Sequence, residues 1–228
     1  MKIVQIITAF QLGGAEKVAI DISKNLEKKE FQTIILTIFK DNSEFSNSIK
    51  NTLSQYNIRF KEFGLYKNIH KLKYIGLMIS ILQIFLFLRK EKPDIIHSHT
   101  DLPDFVLANI LRIYSIFNIK KPKIVRTIHN TILWPSHKKI AYNVEKMFIN
   151  DNIVFISNGS KDAYYELRKR CNLTRSKKTF FIHNGADLTY YTNCCHLNIL
   201  EKQNIHLSKE KINFLFAGRF VEQKGFDL

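Results

Sequence analysis

The sequence predicts an α/β fold, a Rossmann-like doubly wound parallel sheet. Three observations carry that expectation. Short apolar runs rich in β-branched residues recur along the chain, as strands buried on both faces require. Segments with apolar residues at helical spacing alternate with them. Glycine, histidine and asparagine stand where the runs end, at the carboxyl rim where such sheets bind ligands. The alternation implies right-handed crossovers between parallel strands.

Residues 2–8 (KIVQIIT) read as the first buried strand, and Gly13-Gly14 as the turn that follows. Ala15, Val18, Ala19, Ile22 and Leu26 then recur at helical spacing. Paired glycines let a backbone approach a ligand closely, with the unpaired N–H groups of the helix aimed at it. A phosphate suits that place, and a plain βα turn with no ligand is the alternative. Residues 31–39 form a second strand, 41–56 a surface helix and 57–63 a short third strand. A long helix is expected over 68–90 and a strand over 93–99. Residues 102–114 read as helix, 123–129 as strand, 138–149 as helix and 152–156 as strand. Ser157 is an N-cap candidate for a helix over 157–167. A strand over 179–183 closes in the turn Asn184-Gly185-Ala186-Asp187. Residues 188–211 lack periodicity and read as a linker, and 212–217 (INFLFA) as the strand that opens a second domain.

Of 228 residues, 45% are hydrophobic, enough for a core and against a disordered chain. Lys and Arg number 35 against 20 acids, and the net charge of +15 favours anionic partners. Nucleic acid is not expected: the aromatics lie inside apolar runs, without a recognition motif. Cys171, Cys194 and Cys195 are too few and too clustered for a disulfide framework, which fits a reducing, cytoplasmic setting.

Residues 74–88 are the most apolar stretch, short of the ~20 residues of a bilayer span. Lys73, Gly76, Ser80 and Gln83 form a narrow polar stripe there, and Lys67, Lys71, Lys73, Arg89, Lys90 and Lys92 flank the stretch. One reading is a helix packed hard against the sheet. The other is a helix partly exposed to an anionic membrane surface.

His97-Ser98-His99-Thr100-Asp101 is H-x-H-x-D, with both imidazoles on one strand face. It resembles the opening of the metallo-β-lactamase zinc motif, but Leu102 stands where the third histidine belongs. No D-x-D pair for a divalent cation is present. His129 ends a strong strand, where an imidazole could hydrogen-bond a reacting sugar.

Taken in order, these pieces resemble a GT-B glycosyltransferase of family 4. The resemblance rests on Gly13–Val18 (GGAEKV), Lys92–His99 (KPDIIHSH), Thr127-Ile128-His129-Asn130, Phe155-Ile156-Ser157 and residues 182–187 (IHNGAD). Ala217-Gly218-Arg219 and residues 223–228 (QKGFDL) match the opening of that architecture's second domain. The resemblance implies a retaining transfer from a nucleotide-sugar donor to a glycan or lipid-linked acceptor, in surface polysaccharide or glycolipid synthesis. It implies no cofactor and no metal. Gly13 and Gly14 would face the donor diphosphate or the acceptor, and Arg219 and Lys224 would hold the leaving diphosphate. His129, the catalytic candidate, would sit near the transferred sugar. The domains expected are 1–187, a linker 188–211, and 212–228 as the truncated start of the nucleotide-sugar domain. The Glu–seven residues–Glu segment that reads the donor does not occur before Leu228. The chain by itself is therefore expected to be inactive; the alternative is a non-catalytic remnant binding lipid or a partner through its basic rim. The expected location is cytoplasmic, peripheral at the inner face of the membrane.

Overall fold

The computed structural model describes residues 1–186, apart from 12, 28, 30, 68–71, 135–137 and 150, together with Ile212. The chain divides into two units, Met1–Gly185 and Ala186–Leu228. The expected linker and the strand over 212–217 lie outside the described residues, save Ile212 itself.

The first unit is a seven-stranded parallel sheet in the order β3-β2-β1-β4-β5-β6-β7. Its elements are β1 (Lys2–Ile7), α1 (Gly14–Glu27), β2 (Gln32–Thr37), α2 (Glu44–Gln55), β3 (Arg59–Glu62), α3 (Lys73–Glu91) and β4 (Ile95–His99), then α4 (Asp101–Ile116), β5 (Lys123–Ile128), α5 (Lys138–Glu145), β6 (Asn152–Phe155), α6 (Asn158–Arg170) and β7 (Thr179–Phe181). The expected strand–helix alternation is present along this unit, and the strands are shorter than their expected runs by one to three residues.

The alternation of side chains along β1 sorts the core into layers. Ile7 packs with Ala19, Ile20 and Leu53, under α1 and α2. Val4 and Ile6 face the other way, into a larger core with Ile84 of α3 and Val106 and Ile110 of α4. Tyr164 and Leu167 of α6 join Ile128, Ile153 and Phe155 farther along that second face. The chain runs outward in one direction through β2 and β3, then returns past β1 to β4. The switch between β1 and β4 leaves a crevice at their carboxyl ends.

Local chemistry fixes the element ends. Ser157 caps α6 as expected: its hydroxyl accepts from Ser160 N–H at 3.1 Å, and the Ser160 hydroxyl accepts from Ser157 N–H at 3.2 Å. Ser43 caps α2 by accepting from Ser46 N–H at 3.2 Å, while its own N–H donates to Asp41 Oδ1. α5 stops at Glu145 rather than 149. The Glu145 carbonyl accepts from Phe148 N–H and from the Arg168 guanidinium, so the backbone tightens into a turn. Gly64 has φ +65, and a Cβ there would lie 2.3 Å from Ser80 Oγ and 2.5 Å from the Ile38 carbonyl. Only glycine lets β3 leave the sheet beneath α3.

Candidate functional site

β1 delivers the chain to the switch point. The Gly13 carbonyl accepts from Lys17 N–H at 3.0 Å, which makes Gly13 the N-cap of α1. A Cβ at Gly13 would fall 2.1 Å from the Glu16 carboxyl, whereas one at Gly14 would meet nothing within 4 Å. The two glycines therefore do different things. Gly13 makes room for a buried acidic side chain, and Gly14 keeps the approach to the helix start open.

On the α1 side of the sheet, neighbouring strands contribute a run of polar side chains. Gln5 of β1 lies opposite His97 of β4, and His99 lies opposite Thr127 of β5. His97 Nε2 bonds the Thr127 hydroxyl at 2.7 Å. His99 Nε2 bonds Gln5 Oε1 at 2.8 Å, and His99 Nδ1 bonds His129 Nε2 at 3.1 Å. The His97 and His99 rings stack with centroids 4.1 Å apart. Burial lowers the pKa of His97 to about 3 and of His129 to about 4, and holds His99 well below the ordinary imidazole value.

These contacts set the protons. Gln5 presents an acceptor oxygen, so neutral His99 donates from Nε2 and accepts at Nδ1. In that arrangement His129 donates from Nε2 and keeps a lone pair at Nδ1, on a ring that is half-buried. Gln5 Nε2 is buried and has no partner among the described residues.

Beside the histidines, β4 turns into α4 through Thr100, at φ 75 and ψ 174. That region is essentially restricted to glycine, and a β-branched residue held there stores strain, a state that clusters at functional sites. The next residue, Asp101, opens α4. Burial, and then the neighbouring Asp104, push its carboxyl up to about 7, against Arg126 and the Trp134 backbone N–H. Beneath it lies a buried charge network. Arg126 pairs with Asp104 and with Glu145, each at 2.7 Å, and Glu145 also pairs with Arg168 at 3.2 Å. The Ser98 hydroxyl donates to Asp104, and the Arg126 guanidinium lies 4.2 Å from the centre of the Phe148 ring. The network ties β4, β5, α4, α5 and α6 together under the rim.

Of the residues singled out in the sequence, Gly13, Gly14 and His129 gather at this rim, and Arg219 and Lys224 lie outside the described residues. His97 and His99 do share a strand face. Both nitrogens of His99 and Nε2 of His97 are taken up by Gln5, His129 and Thr127, and among the described residues no cluster of His, Cys, Asp or Glu is arranged to hold a metal ion. Sequence reasoning missed Gln5, Thr127, Thr100 and the Arg126 network. The available signals were a glutamine and an arginine, each in the middle of a buried strand. A depression of about 980 Å³ opens elsewhere, at the amino ends of β4 and β5, and belongs to a different surface.

A parallel sheet with this strand order and switch point is the Rossmann-like fold of GT-B amino-terminal domains. Residues 12–190 match the model of glycosyltransferase family 4, and the chain belongs to that family. It is similar to an uncharacterized 41.2 kDa protein in the cps region of Klebsiella pneumoniae, 31% identical over 154 residues, covering 64% of this chain and 40% of that protein. A crystal structure of a glycosyltransferase from Rickettsia africae superposes with a TM-score of 0.59 at 15% identity, covering 90% of this chain and 50% of that one. The lipopolysaccharide outer core galactosyltransferase WaaB superposes with 0.57 at 17% identity, covering 82% and 46%. At these identities the structures share the fold. The chain spans half or less of the length of each of these relatives.

Proposed function

We propose that this chain supplies the acceptor-side half of a retaining glycosyltransferase that uses a nucleotide-sugar donor and a glycan or lipid-linked acceptor. The observation that carries the reading is family membership across residues 12–190. The relative from a cps region is in keeping with a role in surface polysaccharide synthesis, and the proposed place of that work is the cytoplasm, at the inner face of the membrane. In the transfer, the bond from the sugar C1 to the diphosphate breaks and the diphosphate takes the electron pair. The acceptor hydroxyl oxygen bonds C1 on the same face, and its proton passes to a diphosphate oxygen.

We read His129 as accepting a sugar hydroxyl at Nδ1; its hydrogen bond to His99 supports that role by orienting the ring. The glycine turn, with the start of α1 left open at Gly14, faces the donor diphosphate or the acceptor. Arg219 and Lys224 hold the leaving diphosphate, an electrostatic term of the kind that dominates such chemistry. The donor needs both walls of a cleft, so the 228 residues alone bind acceptor and do not turn over.

The test pairs a transfer assay with amide NMR on the purified chain, using a panel of nucleotide sugars and of free and lipid-linked glycans. Signals of Gly14, Thr100 and His129 shift with an acceptor, and no product forms. A rim that responds to no sugar overturns the reading; product from the chain alone overturns the two-wall requirement.

A further inference from the structure

α3 faces the protein with its small and polar residues. Gly76 packs on Leu65 and Phe39, and Ser80 donates to the Ile38 carbonyl at 2.6 Å. The Gln83 side-chain oxygen accepts from Gly64 N–H at 2.9 Å. These contacts let the helix lie close on the ends of β2 and β3, with Ile81, Ile84 and Leu88 filling the core beside them. Gly76 and Ser80 of the polar stripe are thus buried, while Gln83 stays exposed and reaches Gly64 from the edge of the helix.

The opposite side is apolar and uncovered. Tyr74, Met78, Leu82 and Leu86 recur every four residues and are 81%, 69%, 56% and 57% exposed, with Ile75 beside them at 54%. They form one ridge about 18 Å long. A contiguous exposed patch of this kind marks an interaction site. Exposed Arg89 and Lys90 close the helix, and exposed Lys92 follows. Below them opens the depression of about 980 Å³, lined by Arg89, Lys92, Lys120, Lys121, Lys123 and Phe117. Asp94 is the one carboxylate among its described lining residues. Phe117 and its neighbour Ile116 are 68% and 77% exposed, so apolar tips stand among the cations there as well.

We propose that this surface, the α3 ridge with the basic depression at its end, docks on an anionic lipid bilayer. The ridge would enter the headgroup–acyl boundary, and the cations would meet lipid phosphates. No described helix is long and apolar enough to cross a membrane, so the helix lies in the interface. A second copy of the chain fits less well, because a two-fold contact would bring the same cations together. A nucleic acid would leave the ridge unused. α3 runs the height of the sheet, from the carboxyl end of β3 to the amino end of β4. With α3 on the bilayer, the rim carrying His129 opens beside the membrane, where a lipid-linked acceptor stands. The inference deepens the proposed function and rests on it for that last step, but its test needs no turnover.

The test is co-sedimentation of the chain with phosphatidylcholine vesicles and with vesicles that also contain phosphatidylglycerol. The chain should bind the anionic vesicles, and salt should weaken binding. Met78→Glu/Leu82→Glu should weaken it about tenfold with an unchanged circular dichroism spectrum, since both side chains point outward. Arg89→Glu/Lys90→Glu should do the same through charge. Wild-type binding by either double variant overturns the proposal, as does equal binding to both vesicles or binding to neither. A dimer in solution that Leu82→Glu dissolves would assign the ridge to a chain–chain contact instead. The rim amides report acceptor binding separately, so failure here leaves the transferase reading standing.

Discussion

His99 Nδ1 and His129 Nε2 lie 3.1 Å apart, and the other nitrogen of His99 is held at 2.8 Å by Gln5. The chain Gln5–His99–His129 therefore carries orientation from a buried strand out to the rim. Nitrogen NMR should find both rings neutral with the proton on Nε2, and neither should titrate between about pH 5 and 8. An unfolded imidazole near 6.5 takes up a proton that these buried rings refuse. Their contribution to stability is thus complete above pH 6.5 and is lost as pH falls toward about 4. Gln5→Leu should mix the tautomers of His99 and shift the His129 signals. A His99 midpoint near 6.5 in the intact chain would show that the contacts do not hold.

Asp101 has the opposite sign. Its carboxyl is raised from 3.8 to about 7, so across that interval the folded chain holds a proton that the unfolded chain has released. Its contribution to stability falls as pH rises through the interval. Asp101→Asn removes the loss and keeps an acceptor for Trp134 N–H. Denaturant unfolding should show little gain near pH 4, growing to about 2–4 kcal/mol by pH 8. A gain independent of pH would place the carboxyl in water.

Thr100 pays for its conformation in strain of about 1–3 kcal/mol. Glycine adopts φ 75 freely but loses about 0.5–1 kcal/mol more in chain entropy on folding. Thr100→Gly should therefore stabilise the chain by about 1 kcal/mol, or about 2–4 °C in melting temperature at this size. A lower melting temperature would mean that the threonine side chain makes contacts worth more than the strain.

The sheet was legible because each strand is an apolar run of one period and each helix a run of another, and neighbouring signals agreed. The rim was legible as a set of strand ends, since a parallel topology brings Gly14 and His129 together whatever the side chains do. Side-chain partnerships were not legible. Gln5 interrupts an apolar run and reads as noise until register places it opposite His97. Arg126 reads as one charge in the middle of a strand until α5 and α6 deliver Glu145 and Arg168 beneath it. The direction of the α3 stripe was not legible for a physical reason: Gly76 and Ser80 are buried by their small size and by the Ile38 carbonyl, which polarity alone does not foretell.

The Arg126 network gives a large stability effect. Arg126 and Glu145 are buried on all sides, and each satisfies the other through two hydrogen bonds. Removing one partner of such a pair leaves an uncompensated buried charge and costs about 3–5 kcal/mol. Glu145→Gln leaves Arg168 and Arg126 with Asp104 alone. Its free energy of unfolding should drop by that amount, and Arg126→Met should cost a similar amount through Asp104 and Glu145. The double variant should cost less than the sum of the two. Simple additivity would mean that the two side chains do not depend on each other.

His129 separates a functional role from a structural one. It ends β5 at the rim, and its one described hydrogen bond is the one it donates to His99. His129→Ala removes that donor and leaves His99 Nδ1 with space for a water, so stability should fall by only about 1 kcal/mol. The same change removes the Nδ1 lone pair offered to the acceptor sugar. Glycan affinity, measured by titration of the chain, should fall about tenfold, the worth of one hydrogen bond of about 1.4 kcal/mol. His129→Gln keeps an N–H for His99 and a carbonyl oxygen for the rim. It should restore the melting temperature fully and the affinity in part. If His129→Ala lowers the melting temperature by many degrees and affinity recovers on cooling, the imidazole serves the fold. If the two variants share one melting temperature but differ in affinity, the ring acts on the sugar, and Gln5 and His99 are the residues that aim it.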